Sequence, residues 1–177
     1  VKPEWKERIP EVVHVDGKPT VHLGGSGFII SRQRLLAILA KRATDLGVDV
    51  QFERGIEDGS QLADGDLIVA CDGANSRLRR LHADQFKTNV HVSRNKYIWL
   101  GTSKVFDSFT FPFVQTNAGW IWFHGYGFSG DTSTCVVECS PETWTGLGFD
   151  RLGADESITL LQKIFGPHLS GHPLRCR

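Results

Sequence analysis

The segment Leu67-Ile68-Val69-Ala70-Cys71, followed at once by Asp72-Gly73, constrains the fold more than any other stretch of the chain. A short continuous apolar run closed by a turn has the pattern of a strand buried on both faces. Asn75 and Ser76 are helix-capping types, and Arg77 to Leu81 can continue as a short helix. A carboxylate at the carboxyl end of a buried strand, followed by a glycine and a helix start, occupies the place where open α/β sheets bind ligands. The glycine lets a ligand approach the backbone, and the helix start offers N–H groups to an anion. An ordinary strand-to-helix turn has the same spacing, so the ligand reading needs support from elsewhere in the chain.

Upstream, residues 1 to 10 are charged and proline-flanked, the pattern of a surface lead-in. Residues 12 to 23 form a hairpin pattern about Asp16-Gly17, with Pro19 marking the second arm as an edge or a very short strand. Gly24-Gly25-Ser26-Gly27 lacks the G-x-G-x-x-G spacing and any P-loop lysine, and is expected to be a flexible link. Ser31 is an N-cap, Leu35, Leu36, Ile38, Leu39, Ala43 and Leu46 share one helical face, and Gly47 is placed to stop the helix. Val48, Val50 and Phe52 alternate as a following strand.

After residue 90 the period changes to two. Segments 97–100, 109–114, 120–126 and 133–139 are β-rich and separated by turns, which predicts an antiparallel meander. Ser140-Pro141-Glu142 starts a short helix, and residues 154 to 165 form another with Ile158, Leu161 and Phe165 on one side. Along 120–126, Ile121 and Phe123 have the character of core. Trp122, His124 and Tyr126 share the other face with Trp120 and combine aromatic bodies with polar tips, as a pocket for a planar substrate does. A strand histidine also serves structure, and Phe111 and Phe113, which could line the same pocket, are expected to be core. The expected class is α/β, or α+β within these residues. Residues 1–90 supply βα units, and residues 91–177 an antiparallel sheet with flanking helices.

Composition excludes several classes. Lys plus Arg and Asp plus Glu number 20 each in 177 residues, so no global field argues for nucleic acid or a membrane surface. The four cysteines show neither C-x-x-C nor metal-ligand spacing, and Cys135 and Cys139 on one strand would lie about 13 Å apart, beyond disulfide reach. Reduced thiols and a cytoplasmic location are expected. No Ser/His/Asp set, paired carboxylates or metal cluster is defined, so no catalytic residue is singled out. The chain contains no methionine, which points to a piece of a longer protein.

Cys71-Asp72-Gly73-Ala74-Asn75-Ser76 with Arg79 resembles the D-G motif of the FAD-dependent aromatic hydroxylases, flavoprotein monooxygenases of the p-hydroxybenzoate hydroxylase fold. The stretch Ile29 to Leu36, its helix, and Leu46-Gly47-Val48-Asp49-Val50 are similar to the R-x-x-L … G-V element of that family. Asn95 to Thr102, Ser133 to Cys139 with Glu142-Thr143-Trp144, and Asp155-Glu156-Ser157 are similar to the branch that includes salicylyl-CoA 5-hydroxylase and 2-aminobenzoyl-CoA monooxygenase. The resemblance implies part of an FAD-binding domain joined to a substrate-binding sheet, with FAD as cofactor and NAD(P)H as reductant. It implies hydroxylation of a small aromatic acyl-CoA, and it allows a homodimer of the full-length protein. It places Arg32 beside the flavin, Asp72 and Gly73 in FAD and NAD(P)H binding, and Arg79 as the group that holds the motif in shape. Other roles remain open: Arg32 as a solvated helix-start residue, Arg79 as a surface charge. A tryptophan- or indole-modifying monooxygenase of the same fold is an alternative, as is a non-catalytic flavoprotein-like binding module. The family's G-x-G-x-x-G and G-D motifs are absent from these residues, so the piece alone is expected not to retain FAD.

Overall fold

Asp16-Gly17 turns the chain back on itself, with Gly17 at a φ of +71°, and joins β1 (Lys6–Val15) to β2 (Val21–Ile29) in an antiparallel hairpin. The computed structural model describes residues 6–62, 64–127 and 129–176; of residues 6–8 and 26 only the backbone is described. The charged lead-in expected over residues 1 to 10 is therefore corrected in its second half, which belongs to β1, while residues 1–5 lie outside the described residues. The glycine-rich stretch expected as a link runs inside β2. Its register against β1 is broken by two irregularities, and Gly24 at φ +72° provides the bulge conformation that lets such a sequence stay paired. β2 is an edge strand, as Pro19 implied, but nine residues long.

The following elements are α1 (Arg32–Asp45), a 3₁₀ turn (Gly59–Leu62), α2 (Arg77–Leu81), α3 (Ala83–Phe86), β3 (Lys96–Thr102), β4 (Phe109–Thr116), β5 (Gly119–Gly127), β6 (Ser133–Cys139), α4 (Pro141–Gly146), α5 (Ala154–Leu169) and β7 (Leu174–Cys176). The chain divides into two units, Val1–Ile38 with Arg94–Arg177, and Leu39–Ser93.

The first unit is built on a seven-stranded sheet of order β2-β1-β4-β5-β6-β3-β7. All neighbours are antiparallel except β1 and β4, which run parallel from Glu11↔Phe109 to Val15↔Phe113. That parallel pairing draws the first hairpin into the sheet of the second half, where a division near residue 90 had separated them. The expected meander holds for β4, β5 and β6 only; β3 crosses over to pair with β6 from Lys96↔Cys139 to Thr102↔Ser133. The fold is α+β with a mostly antiparallel sheet.

One face of this sheet carries the core. Leu100, Ile121, Phe123, Cys135, Val137 and Cys139 meet Leu161, Phe165 and Leu169 of α5, with Phe106 and Phe149 closing the cluster. The helix supplies an i, i+4, i+8 stripe to a sheet that supplies alternate residues, the two periods meeting in one layer. The sheet thiols are part of this core. All four cysteines are free, and burial pushes Cys135 up to about 12 and Cys139 up to about 11. Cys71 and Cys176 are exposed. A thiolate-selective reagent at pH 8 is expected to modify two thiols in the folded chain and four in denaturant, with Cys71 and Cys176 modified first by peptide mapping. Early modification of Cys135 would contradict the burial of β6.

The second unit departs from expectation. Leu67–Cys71 is not a strand: among the described residues of this unit no strand lies beside it, and Leu67 and Val69 are 81% and 71% exposed. A run patterned for burial on both faces acquires strand geometry only when neighbours satisfy its backbone groups. For the same reason residues 48–52 are irregular, with Val48 and Phe52 exposed. α1, whose residues up to Ile38 belong to the first unit, forms where its cap and periodicity place it and Gly47, at φ +79°, ends it, yet Leu35, Leu36, Ile38 and Leu39 remain exposed. Among the described residues no helix is long and apolar enough to cross a membrane.

Candidate functional site

Alternation along β5 turns Ile121, Phe123 and Gly125 into the core and leaves Trp122, His124 and Tyr126 half-buried on the opposite face. β4 pairs with β5 in antiparallel register, Phe113 opposite Trp122, and so brings its own alternate residues onto that face. Phe113 stacks on Trp122 with ring centroids 5.5 Å apart and planes 24° from parallel. Phe111 lies 5.2 Å from the His124 ring, and Phe109 meets Tyr126 edge-on at 5.2 Å. Six ring side chains therefore form a continuous surface across two strands. The three aromatic and imidazole residues singled out along 120–126 are brought together there. Phe111 and Phe113 belong with them rather than with the core.

β6 contributes one charged residue to this face. Glu138 pairs across the ladder with Trp122, and its Oε1 is 3.7 Å from His124 Nε2. Toward the other edge, Phe109 and Tyr126 form one wall of a pocket of about 360 Å³, completed by Ile9, Glu11, Phe28 and Ile30 among others. That volume lies in the range that encloses a small planar ligand. Glu138, Glu11, Phe109 and Phe28 were not found by reading motifs. The signal for Glu138 was available, since it shares parity with Val136 on a strand whose odd positions are buried.

The second cluster is the turn after Cys71. Ser76 donates its hydroxyl to Asp72 Oδ1 at 2.6 Å, while the amides of Arg77 and Leu78 donate to Oδ2 at 2.7 and 3.3 Å. The Arg79 amide donates to Ser76 Oγ at 2.9 Å. Asp72 and Ser76 thus cap α2 together, and both carboxylate oxygens are engaged within the turn. Gly73 adopts φ +87°, a conformation that favours glycine, and open space surrounds the place a Cβ would take. The Arg79 guanidinium donates to the Ala74 carbonyl and that of Arg80 to the Asn75 carbonyl, so both arginines brace the loop. Arg77 pairs with Glu57. A hollow of about 720 Å³ borders this turn, walled by Ile56, Leu62, Leu67, Ile68 and Leu78 with Arg54 and Asp72.

Those hydrogen bonds hold the Asp72 carboxyl below its usual value, the Ser76 hydroxyl contributing most. A depressed carboxyl adds stability that is present above the unfolded value and is lost as pH falls through the folded one. Amide protection of Arg77 and Leu78 is therefore expected to decline as pH drops below about 4. Asp72→Asn is expected to remove that pH dependence. Equal profiles for the two proteins would dissociate Asp72 from the cap.

Arg32 opens α1, where Ser31 Oγ accepts the Arg34 amide at 3.2 Å. Its side chain is exposed, two residues beyond Ile30 of the aromatic-face pocket. A cation at a helix N-terminus gains nothing from the macrodipole. Arg32 belongs to the unit of the aromatic face, and Asp72, Gly73 and Arg79 to the other.

No family model matches the chain. It is 37% identical over 161 residues to a salicyloyl-CoA 5-hydroxylase of Streptomyces, covering 86% of this chain and 31% of that protein. It is 31% identical over 147 residues to the protodeoxyviolaceinate monooxygenase of Chromobacterium violaceum, covering 82% of this chain and 39% of that protein. It is 37% identical over 130 residues to the 3-hydroxy-4-methyl-anthranilyl-(aryl-carrier protein) 5-monooxygenase of Streptosporangium sibiricum, covering 71% of this chain and 35% of that protein. The chain spans about a third of the length of these curated relatives.

Proposed function

We propose that this homologue of the aromatic monooxygenases provides the substrate-binding sheet, and part of the flavin-binding region, of an enzyme that hydroxylates an aromatic acyl thioester of the salicyloyl- or 2-aminobenzoyl-CoA type. The observation that carries this reading is the ring surface of β4 and β5 with its adjoining 360 Å³ pocket. Flat apolar walls with a few polar tips favour a planar ring by area burial and by edge-to-face contact. Two of the relatives act, by name, on substituted benzoyl or anthranilyl thioesters, which such a surface suits.

Bound FAD would supply the oxygen chemistry, with NAD(P)H as the reductant. The residues of this chain fit that cofactor in a supporting role. Gly73 leaves a backbone approach open, and the exposed Arg32 guanidinium can meet an anionic group. Asp72 and Arg79 act at one remove, since their polar atoms already shape the turn. On the aromatic face Trp122 and Phe113 orient the ring, His124 and Tyr126 offer polar contacts, and the surrounding phenyl groups exclude water. This reading places the protein in the cytoplasm, with reduced cysteines.

A tryptophan- or indole-modifying monooxygenase is the second reading, and the similarity to a protodeoxyviolaceinate monooxygenase shows that the likeness is not confined to relatives named for acyl thioesters. The two are separated by following NADH and NADPH oxidation, with product analysis, in the protein that carries this chain. Salicyloyl-CoA or 2-aminobenzoyl-CoA is expected to stimulate oxidation and to return hydroxylated. Stimulation by tryptophan alone would replace the thioester with the indole. Stimulation by none of the three would overturn the aromatic hydroxylase reading.

A further inference from the structure

Glu138 places a carboxylate in a half-buried position beside the Trp122 and His124 rings of β5, where an anion has little to gain from packing. Its Oε1 stands 3.7 Å from Nε2 of His124, too long for a hydrogen bond but close enough to bias the imidazole electrostatically. A neutral imidazole carries its proton on one nitrogen and a lone pair on the other. A negative oxygen on the Nε2 side favours the proton there and leaves Nδ1 as an acceptor. Phe111, at 5.2 Å, and Phe109, at 6.4 Å, flank the imidazole and limit its rotation.

We propose that Glu138 is a positioning residue that fixes the His124 tautomer, so that Nδ1 accepts a hydrogen bond from a ring-bound O–H or N–H of the substrate. The inference rests on the aromatic-face reading and deepens it: the site selects rings bearing a donor over rings without one. Accepting that hydrogen bond also increases electron release from the heteroatom into the ring, which suits the ring for attack by an electrophilic oxygen.

The test has two arms, both run on the protein that carries this chain. In the first, ¹⁵N spectra of the His124 ring are recorded for the wild type, Glu138→Leu and Glu138→Asp. The wild type is expected to show protonated Nε2 and unprotonated Nδ1, the leucine variant a mixture, and the aspartate variant a partial return. In the second arm, salicyloyl-CoA is compared with benzoyl-CoA, which differs only in lacking the ring hydroxyl. The wild type is expected to bind the first roughly tenfold better, and Glu138→Leu to lose most of that preference. Glu138→Gln, which keeps the side-chain volume, replaces the leucine variant if that one does not fold.

A wild-type His124 protonated on Nδ1, or a variant with unchanged tautomer and unchanged preference, overturns the role of Glu138 while leaving the site intact. Failure of the wild type to bind either thioester overturns the site's substrate instead, and the ring spectra then decide the part played by Glu138.

Discussion

Phe165→Ala is expected to destabilise the sheet-bearing unit by about 3–5 kcal/mol, measured by urea unfolding. Phe165 is fully buried on α5, its ring edge-on to Phe123 at 4.9 Å, with Leu161 and Leu169 one turn to either side. Removing the ring forfeits its transfer energy and leaves a cavity between a helix and a sheet that cannot close without moving one of them. Phe28, also a phenylalanine but 68% exposed, is the control: Phe28→Ala is expected to change stability by no more than about 0.5 kcal/mol. Comparable losses for the two would mean that α5 does not cover this face of the sheet.

Gly125→Ala is expected to cost about 1–3 kcal/mol, and to weaken aromatic ligand binding as well. A Cβ at position 125 would stand 2.6 Å from the Phe123 ring and 3.0 Å from that of Phe106. Those rings are packed at 5.7 Å from each other and have no space to retreat into. The relief available is a displacement of β5 away from the core, which carries His124 and Tyr126 with it because they flank the glycine on the opposite face. Stability and ligand affinity are thus expected to fall together in this variant, read by thermal unfolding and by titration with salicyloyl-CoA. Unchanged stability would show that the β5 backbone is looser than its packing indicates.

Along a single strand, position parity shows which face a side chain takes. The alternation from Trp120 to Tyr126 sorted core from open face correctly because strand geometry depends on position parity alone. Ser76 and Gly47 marked helix ends because capping is local. Long-range pairing was not legible. Nothing in residues 11–15 shows that they run parallel to residues 109–113, and that single pairing decides which half of the chain owns the first hairpin. Gly24 to Gly27 has the composition of a link, but an edge strand with a bulge tolerates it because only one side must match a partner. The motif at Asp72 is legible because it is local, while the bonding of its carboxylate to Ser76 and the first amides of α2 emerges only once the turn is folded.

Isotope-filtered NOE spectra of salicyloyl-CoA bound to the protein that carries this chain test the central claim, that the ring surface of β4 and β5 is the substrate site. The account predicts cross-peaks from the salicyl protons to Phe109, Phe111, Trp122 and Tyr126. Cross-peaks confined to Ile56, Leu62, Leu67 and Ile68, around the 720 Å³ hollow, would contradict it.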